Sequence, residues 1–170
     1  MMLNLRALKD FPARLTLEDN AAALDIDIKG VTVSGKARAE LHVLQSSNVY
    51  YCTGLAVCSA DLECSRCLEP YRVTLQGQIE FSIQEVADVR NVRQDEFPDS
   101  ELVVGQNAGE VDITGPVREA IVLELPLKPL CRETCRGLCP LCGTNLNEHQ
   151  CGCKMETTDP RWNGLRDLLK

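Results

Sequence analysis

Ten cysteines in a chain of 170 residues are the side chains best suited to chemistry. Two of them form a Cys-x2-Cys pair, Cys64 and Cys67. Six more follow in the last third of the chain: Cys131, Cys135, Cys139, Cys142, Cys151 and Cys153. Closely spaced thiolate pairs are typical of sites in which four cysteines bind one zinc ion tetrahedrally. The spacing therefore predicts a metal-binding protein, with zinc as the metal.

Eight of these cysteines can be divided into two four-thiolate sites, which predicts two zinc ions. One site would use Cys64, Cys67, Cys131 and Cys135, and the other would use Cys139, Cys142, Cys151 and Cys153. The run Cys139-Pro-Leu-Cys142-Gly has the form of a zinc knuckle, in which backbone N–H groups face the sulfurs. Two alternatives stay open at this point: an interleaved pairing, and His149 in place of one thiolate of the second site.

The remaining cysteines, Cys52 and Cys58, share the parity of apolar residues in a predicted strand. A free cysteine packs as a small apolar residue, so we expect both in the core. His42 stands alone among strand residues and is expected at the surface.

Basic residues flank the predicted ligands. Zinc with four thiolates has a net charge of about −2, so nearby cations would offset it. They could also form a surface that contacts phosphates of RNA, or another partner. The candidates for this contact are Arg66, Arg132, Arg136 and Lys154.

Charge and the N-terminal sequence restrict the class of protein. The net charge of −7 does not favour nucleic-acid binding through bulk charge, but residues 126–170 carry a balance of +2. Charged residues interrupt the first twenty positions, so no export signal is evident and no apolar stretch is long enough for a membrane span. We therefore expect a cytoplasmic protein with reduced cysteines and no membrane partner.

Alternating apolar residues predict strands through most of the first 85 residues. The predicted strands are Leu24–Ile28, Ala37–Val43, Ala56–Cys64 and Val73–Ile83, with connections at Val31–Gly35 and Gln45–Asn48. Residues 87–110 lose this periodicity and predict a flexible acidic loop, with a short strand at Leu102–Val104.

Two helices are predicted after this loop. The first is capped by Asp112 or Thr114 and carries Val117 and Ile121 on one face, until Pro126 ends it. The second is predicted at 158–169. The fold class is thus α+β: an antiparallel β-sheet or partly closed barrel with a covering helix, a C-terminal cysteine-rich zinc module and a terminal helix. The predicted domains are 1–125, the β-rich domain, and 126–170, the zinc module.

Sequence motifs of common enzymes are missing. There is no phosphate loop, no dinucleotide fingerprint, no H-E-x-x-H and no G-x-S-x-G, and the chain has only two histidines. A zinc ion with four thiolate ligands has no open position at which to activate water. We therefore expect no enzymatic activity and no small-molecule substrate.

Four motifs resemble those of the YceD family. They are C-S-R-C-L-E-P at 64–70, the run from L-P-L-K-P-L-C to C-G-T-N-L-N at 125–147, C-G-C at 151–153 and D-P-R-W-N-G-L at 159–165. The resemblance implies a factor in biogenesis of the large ribosomal subunit that supports accumulation of 23S rRNA. Its implied partner is the precursor large subunit, through rRNA, a ribosomal protein or both. Two alternatives are a zinc buffer or donor for a ribosomal protein, and a thiol redox sensor.

Overall fold

The protein was analysed as a computed structural model, which describes residues 1–87, 100–106 and 108–154. These residues contain seven strands and one α-helix. They are β1 (Met2–Asn4), β2 (Ala13–Asn20), β3 (Val31–Ser46), β4 (Val49–Glu63), β5 (Pro70–Val86), β6 (Glu101–Gly105), β7 (Glu110–Asp112) and α1 (Thr114–Leu123). Short 3-10 turns occur at Leu5–Ala7 and Ala21–Leu24. Within the described residues, no helix combines the length and apolar character that crossing a bilayer requires.

Five strands form the main sheet in the order β2-β3-β4-β5-β6, and β1 pairs with β7 in a separate ribbon. The sheet has two edges, β2 and β6, so it is open and the alternative of a partly closed barrel is wrong. The first four strands are antiparallel, but β6 runs parallel to β5. Parallel neighbours require a crossover connection. Alternation within a strand does not encode the direction of its neighbour, which is why this pair was not expected.

The core is one buried cluster that the alternating apolar residues of β3, β4 and β5 form with α1, and the helix packs on β4 and β5. Val117 and Ile121 of the helix are fully buried. The helix backbone lies directly on β5 at Gly77, where an added Cβ would stand 2.1 Å from the carbonyl oxygen of Ala120. The helix therefore packs against the strand whose preceding turn carries the first cysteine pair.

The secondary structure predicted for two segments is wrong. Leu24–Ile28 is not a strand, because a 3-10 turn ends at Leu24 and Asp25 adopts a left-handed conformation with φ of 49°. Val31–Gly35 is the beginning of β3 instead of a connection. A register shift between Ser34 and Arg38 interrupts its alternation, and a bulge of this kind conceals a strand from a period-two pattern.

The predicted loop at 87–110 contains β6 and the first residue of β7. Residues 88–99 and Asn107 of that interval lie outside the described residues, as does the helix predicted at 158–169.

Candidate metal centres

The first centre begins in the turn between β4 and β5. Cys64 follows the last residue of β4, and its backbone N–H donates to the carbonyl of Glu69 at 3.0 Å. The N–H of Leu68 donates to the carbonyl of Cys64 at 2.9 Å, and Leu68 adopts a left-handed φ of 60°. The turn is thus closed by its own backbone and joins strands of 15 and 17 residues. The position of the Cys64–Cys67 pair is therefore fixed by the longest hairpin of the sheet.

The second pair of this centre comes from the segment after α1. Ser65 attaches that segment to the turn, because its N–H and its hydroxyl both donate to the carbonyl of Pro129, at 2.8 and 2.9 Å. Beyond this point the chain brings Cys131 and Cys135 to the first pair, and the four sulfurs lie within 4.8 Å of one another.

The spacing of the sulfurs matches a metal site. Cys64 Sγ lies 3.8 Å from Cys135 Sγ, and Cys67 Sγ lies 3.7 Å from Cys131 Sγ. Ligands at a Zn–S distance of about 2.3 Å in a tetrahedron are about 3.8 Å apart. A disulfide would bring two sulfurs to about 2.05 Å, and all ten cysteines are free. The donor set thus fits one four-coordinate ion.

Arg66 connects the turn to the opposite segment. Its Nη1 donates to the carbonyls of Glu133 and Cys135, at 3.2 and 2.8 Å, and its own carbonyl accepts the N–H of Leu138 at 3.2 Å. Gly137 makes this approach possible: its φ is 73°, and an added Cβ would lie 2.9 Å from the carbonyl oxygen of Arg66. Sequence reasoning offered Arg66 for partner contact, and in the structure it also holds a ligand-bearing segment in place.

The second centre is built on a compact knuckle. The N–H of Gly143 donates to the carbonyl of Cys139, and the N–H of Cys139 donates to the carbonyl of Thr144, both at 2.8 Å. Gly143 has the left-handed φ, 72°, that the spacing anticipates for the residue after Cys142. The loop that follows returns two more thiols, and the sulfurs of all four lie within 4.8 Å of one another. These residues are Cys139, Cys142, Cys151 and Cys153.

The structure therefore brings together the same two sets of four cysteines that their order in the sequence suggests. Of the side chains described, His149 is exposed and is not among those that converge at the second centre. The interleaved pairing likewise finds no counterpart in these distances.

Thiol acidity in the first centre favours a bound cation. Burial opposes ionisation of Cys64, but backbone N–H groups, including those of Cys131 and Cys67, outweigh it and lower its pKa to about 6. Burial raises the pKa of Cys131 to about 12, with a further increase from the neighbouring cysteines. One thiolate is thus stabilised while another is strongly disfavoured. A cation removes this conflict, because a metal holds its coordinating thiols deprotonated.

The second centre likewise contains one thiol with a lowered pKa and one with a raised pKa. The hydroxyl of Thr144, whose Oγ1 lies 3.2 Å from the sulfur, and the Thr144 N–H lower the pKa of Cys142 to about 6. The hydrogen bond with Cys142, together with burial, raises the pKa of Cys153 to about 12. Four thiolates can therefore coexist here when a cation compensates their charge.

Asn147 is a site residue that sequence reasoning missed. Its Nδ2 donates to Cys135 Sγ at 3.3 Å, and this hydrogen bond lowers the pKa of Cys135. In the sequence it is one of two asparagines in T-N-L-N, a polar loop between ligands of the second centre. Nothing in that pattern points to a sulfur of the first centre.

The other candidate residues lie outside both sets of ligands. Arg132, Arg136 and Lys154 are exposed, as is His42 in β3. Cys52 and Cys58 are buried in the core cluster, which confirms their predicted placement. Burial raises the pKa of both thiols, that of Cys52 to about 12.

Relatives of known sequence match either most of this chain or a part of it. An uncharacterized protein of Mycobacterium tuberculosis is 32% identical over 162 residues, which are 93% of this chain and 70% of the relative. The large ribosomal RNA subunit accumulation protein YceD of Haemophilus influenzae is 39% identical over 71 residues, 41% of this chain and 38% of its own. A chloroplastic YCED homolog 1 of Arabidopsis thaliana is 36% identical over 59 residues, 35% of this chain and 18% of its own. No solved structure matches this chain.

A family model agrees with these relatives. It is described as large ribosomal RNA subunit accumulation protein YceD, and it matches residues 53–169, which include both sets of converging cysteines. The chain belongs to the YceD family.

Proposed function

We propose that this chain is a non-enzymatic zinc-binding factor of the cytoplasm that acts in biogenesis of the large ribosomal subunit and supports accumulation of 23S rRNA. Membership of the YceD family supports the biological process. The observation that carries the molecular part is the convergence of eight cysteines into two groups of four thiols. A protein of this kind would act through the surface that its metal ions hold in place.

Zinc is the metal that suits these centres. Four sulfur ligands in a tetrahedral arrangement select zinc or an iron–sulfur cluster, and the hydrogen-bonded knuckle is the structural zinc form. In each centre all four positions would be taken by protein ligands. The ions would therefore stabilise the fold and activate no water molecule. In the first centre, zinc would connect the β4–β5 turn to the segment that follows α1.

The surface beside the centres supplies the candidate contact with the precursor subunit. The side chains of Arg132, Arg136 and Lys154 are exposed next to metal ligands and can reach phosphates. Arg66 is also exposed, although its Nη1 already donates to two carbonyls. Residues 1–125 have a balance of −9, which favours basic ribosomal proteins as their neighbours. The partner is thus precursor rRNA, a ribosomal protein or both.

Sedimentation of the tagged protein tests this proposal. We expect it to travel with precursor large-subunit particles, and its depletion to reduce 23S rRNA relative to 16S rRNA. A variant that combines Arg132→Glu, Arg136→Glu and Lys154→Glu should leave the particles while keeping its metal. Arg14→Glu is the control for each of these reversals made singly, because Arg14 is an exposed cation of β2 outside the ligand segments. Absence from precursor particles, together with normal 23S rRNA after depletion, would contradict the proposal.

The exposed second centre supports a second candidate, donation of zinc to a ribosomal protein. Cys142 and Cys153 are exposed, whereas Cys64, Cys67 and Cys135 of the first centre are buried. Donation requires an exchangeable ion, so competition with a chelator decides the matter. If the second ion leaves as slowly as the first, the chain is not a donor.

A further inference from the structure

The loop between two ligands of the second centre supplies a hydrogen bond to the first centre. Asn147 lies between Cys142 and Cys151, yet its Nδ2 donates to Cys135 Sγ at 3.3 Å. Its Oδ1 accepts the backbone N–H of Arg136 at 2.9 Å. Because the oxygen is occupied by that N–H donor, the amide nitrogen is the atom directed at the sulfur. The orientation of the side chain is thus set by its partners on both sides.

The loop itself is held against the chain that links the two centres. The N–H of Leu146 donates to the carbonyl of Gly137 at 2.9 Å, and Asn145 forms a bridge with Leu138. Asn145 Oδ1 accepts from both the N–H and the Nδ2 of Asn147, at 3.0 and 2.9 Å. The contacts with Gly137 and Leu138 join the loop to residues just before Cys139, and those between Asn145 and Asn147 fix the Asn147 side chain within the loop. The loop cannot move without disturbing the bond from Asn147 to the first centre.

Metal in the second centre would fix this loop at both ends, since Cys142 precedes it and Cys151 follows it. We propose that Asn147 is a positioning residue that couples the two centres, so that an ion in the second centre slows release of the ion in the first. This inference rests on the two metal sites proposed above. Thermodynamic linkage makes the effect on affinity reciprocal, so loading the first centre also favours loading of the second.

The expected size of the coupling follows from the role of groups that hold metal ligands. Loss of a hydrogen bond to a ligand typically costs about 10- to 100-fold in metal affinity. An N–H donor also disperses charge on a thiolate, so its loss makes that sulfur a better target for protons and competing metals. We therefore expect release of the first ion to accelerate about tenfold when the bond from Asn147 is removed.

The test is chelator-driven release of zinc from the full chain, with ions per chain counted by native mass spectrometry. Asn147→Ala removes the side chain. Asn147→Asp keeps an oxygen for the N–H of Arg136 but cannot donate to Cys135. Both variants should release the first ion about tenfold faster. A Cys151→Ser, Cys153→Ser double variant, which lacks the second ion, should show the same acceleration. His149→Ala is the matched control, since it is an exposed neighbour in the same loop, and it should match the unmodified chain.

Adding Asn147→Ala to the double serine variant distinguishes coupling between the two centres from a direct effect of Asn147 on the first centre alone. We expect no further acceleration, because the second ion that positions the loop is already missing. A second tenfold increase would overturn the inference, as would wild-type release rates in both Asn147 variants. If the unmodified chain still carries two ions in those cases, only the coupling is wrong and the two metal sites are supported. Fewer than two ions on the unmodified chain would overturn the metal sites and the coupling together.

Discussion

Each of the two centres consists of four cysteines, but the centres differ in how deeply those cysteines are buried. In the first centre, Cys64 is fully buried and Cys67 and Cys135 are 3% and 4% exposed. In the second, Cys139 is buried, but Cys142 and Cys153 are exposed. The first centre is thus enclosed by the folded chain, whereas the second centre lies at the protein surface.

The two centres differ in burial because only the first is attached directly to the main sheet. The β4–β5 hairpin holds two first-centre ligands in a turn closed by its own backbone hydrogen bonds, and Arg66 and Ser65 attach the opposite segment. The second centre is shaped by local turns between 138 and 154. A ligand pair that is already ordered loses less conformational entropy on binding. We therefore infer that the first ion stabilises the whole fold and the second orders mainly its own loop.

The largest effect is expected from Cys64→Ser, which removes a buried ligand of the first centre. The chain should bind one zinc ion less, and the free energy of unfolding should fall by on the order of 4 kcal/mol, as expected for loss of a structural metal. Urea unfolding and metal analysis of the same preparation measure both effects. Unchanged stability after loss of the ion would contradict a structural role.

A smaller effect is expected from Arg66→Ala, which leaves every thiol in place. The variant loses two hydrogen bonds from a charged donor to carbonyls, so we expect a cost of about 2 kcal/mol and faster release of the first ion. Arg66→Lys should restore only part of the lost stability, because an ammonium lacks the planar guanidinium geometry that directs Nη1 at both carbonyls. Equally faster release of both ions would show that the hydrogen bonds of Arg66 are not specific to the first centre.

Cys153→Ser is expected to cost less still, about 1 kcal/mol, because an exposed ligand mainly orders its own loop and reaches the first centre only through Asn147. The second ion should be lost while the urea midpoint changes little. A cost as large as that of Cys64→Ser would erase the distinction between the two centres.

The smallest effect is expected at the cysteines outside both centres. Burial raises the pKa of Cys52 to about 12 and also raises that of Cys58, so the reactive thiolate is scarce at pH 8. After chelation, alkylation should modify Cys142, which is exposed and has a lowered pKa, well before Cys52 and Cys58. Rapid labelling of all ten would place Cys52 and Cys58 outside the stable core.

Local patterns predicted the cysteine sets well because the Cys-x2-Cys spacing is itself a local geometry, as the turns at Cys64 and Cys139 illustrate. Alternation likewise identified most of β5 and parts of β3 and β4. The failures have longer-range causes. The bulge after Ser34 breaks the period, and the parallel pairing of β6 with β5 joins strands whose relative direction no local pattern encodes. The hydrogen bonds of Asn147 depend on neighbours that only the folded chain brings together.

Counting bound metal tests the central claim most directly. Native mass spectrometry of the purified full chain should find two zinc ions per molecule, and one each for Cys64→Ser and Cys153→Ser. Elemental analysis identifies the metal in the same sample. A chain that folds and carries no metal, or two serine variants that lose the same single ion, would contradict the account of two separate four-cysteine centres.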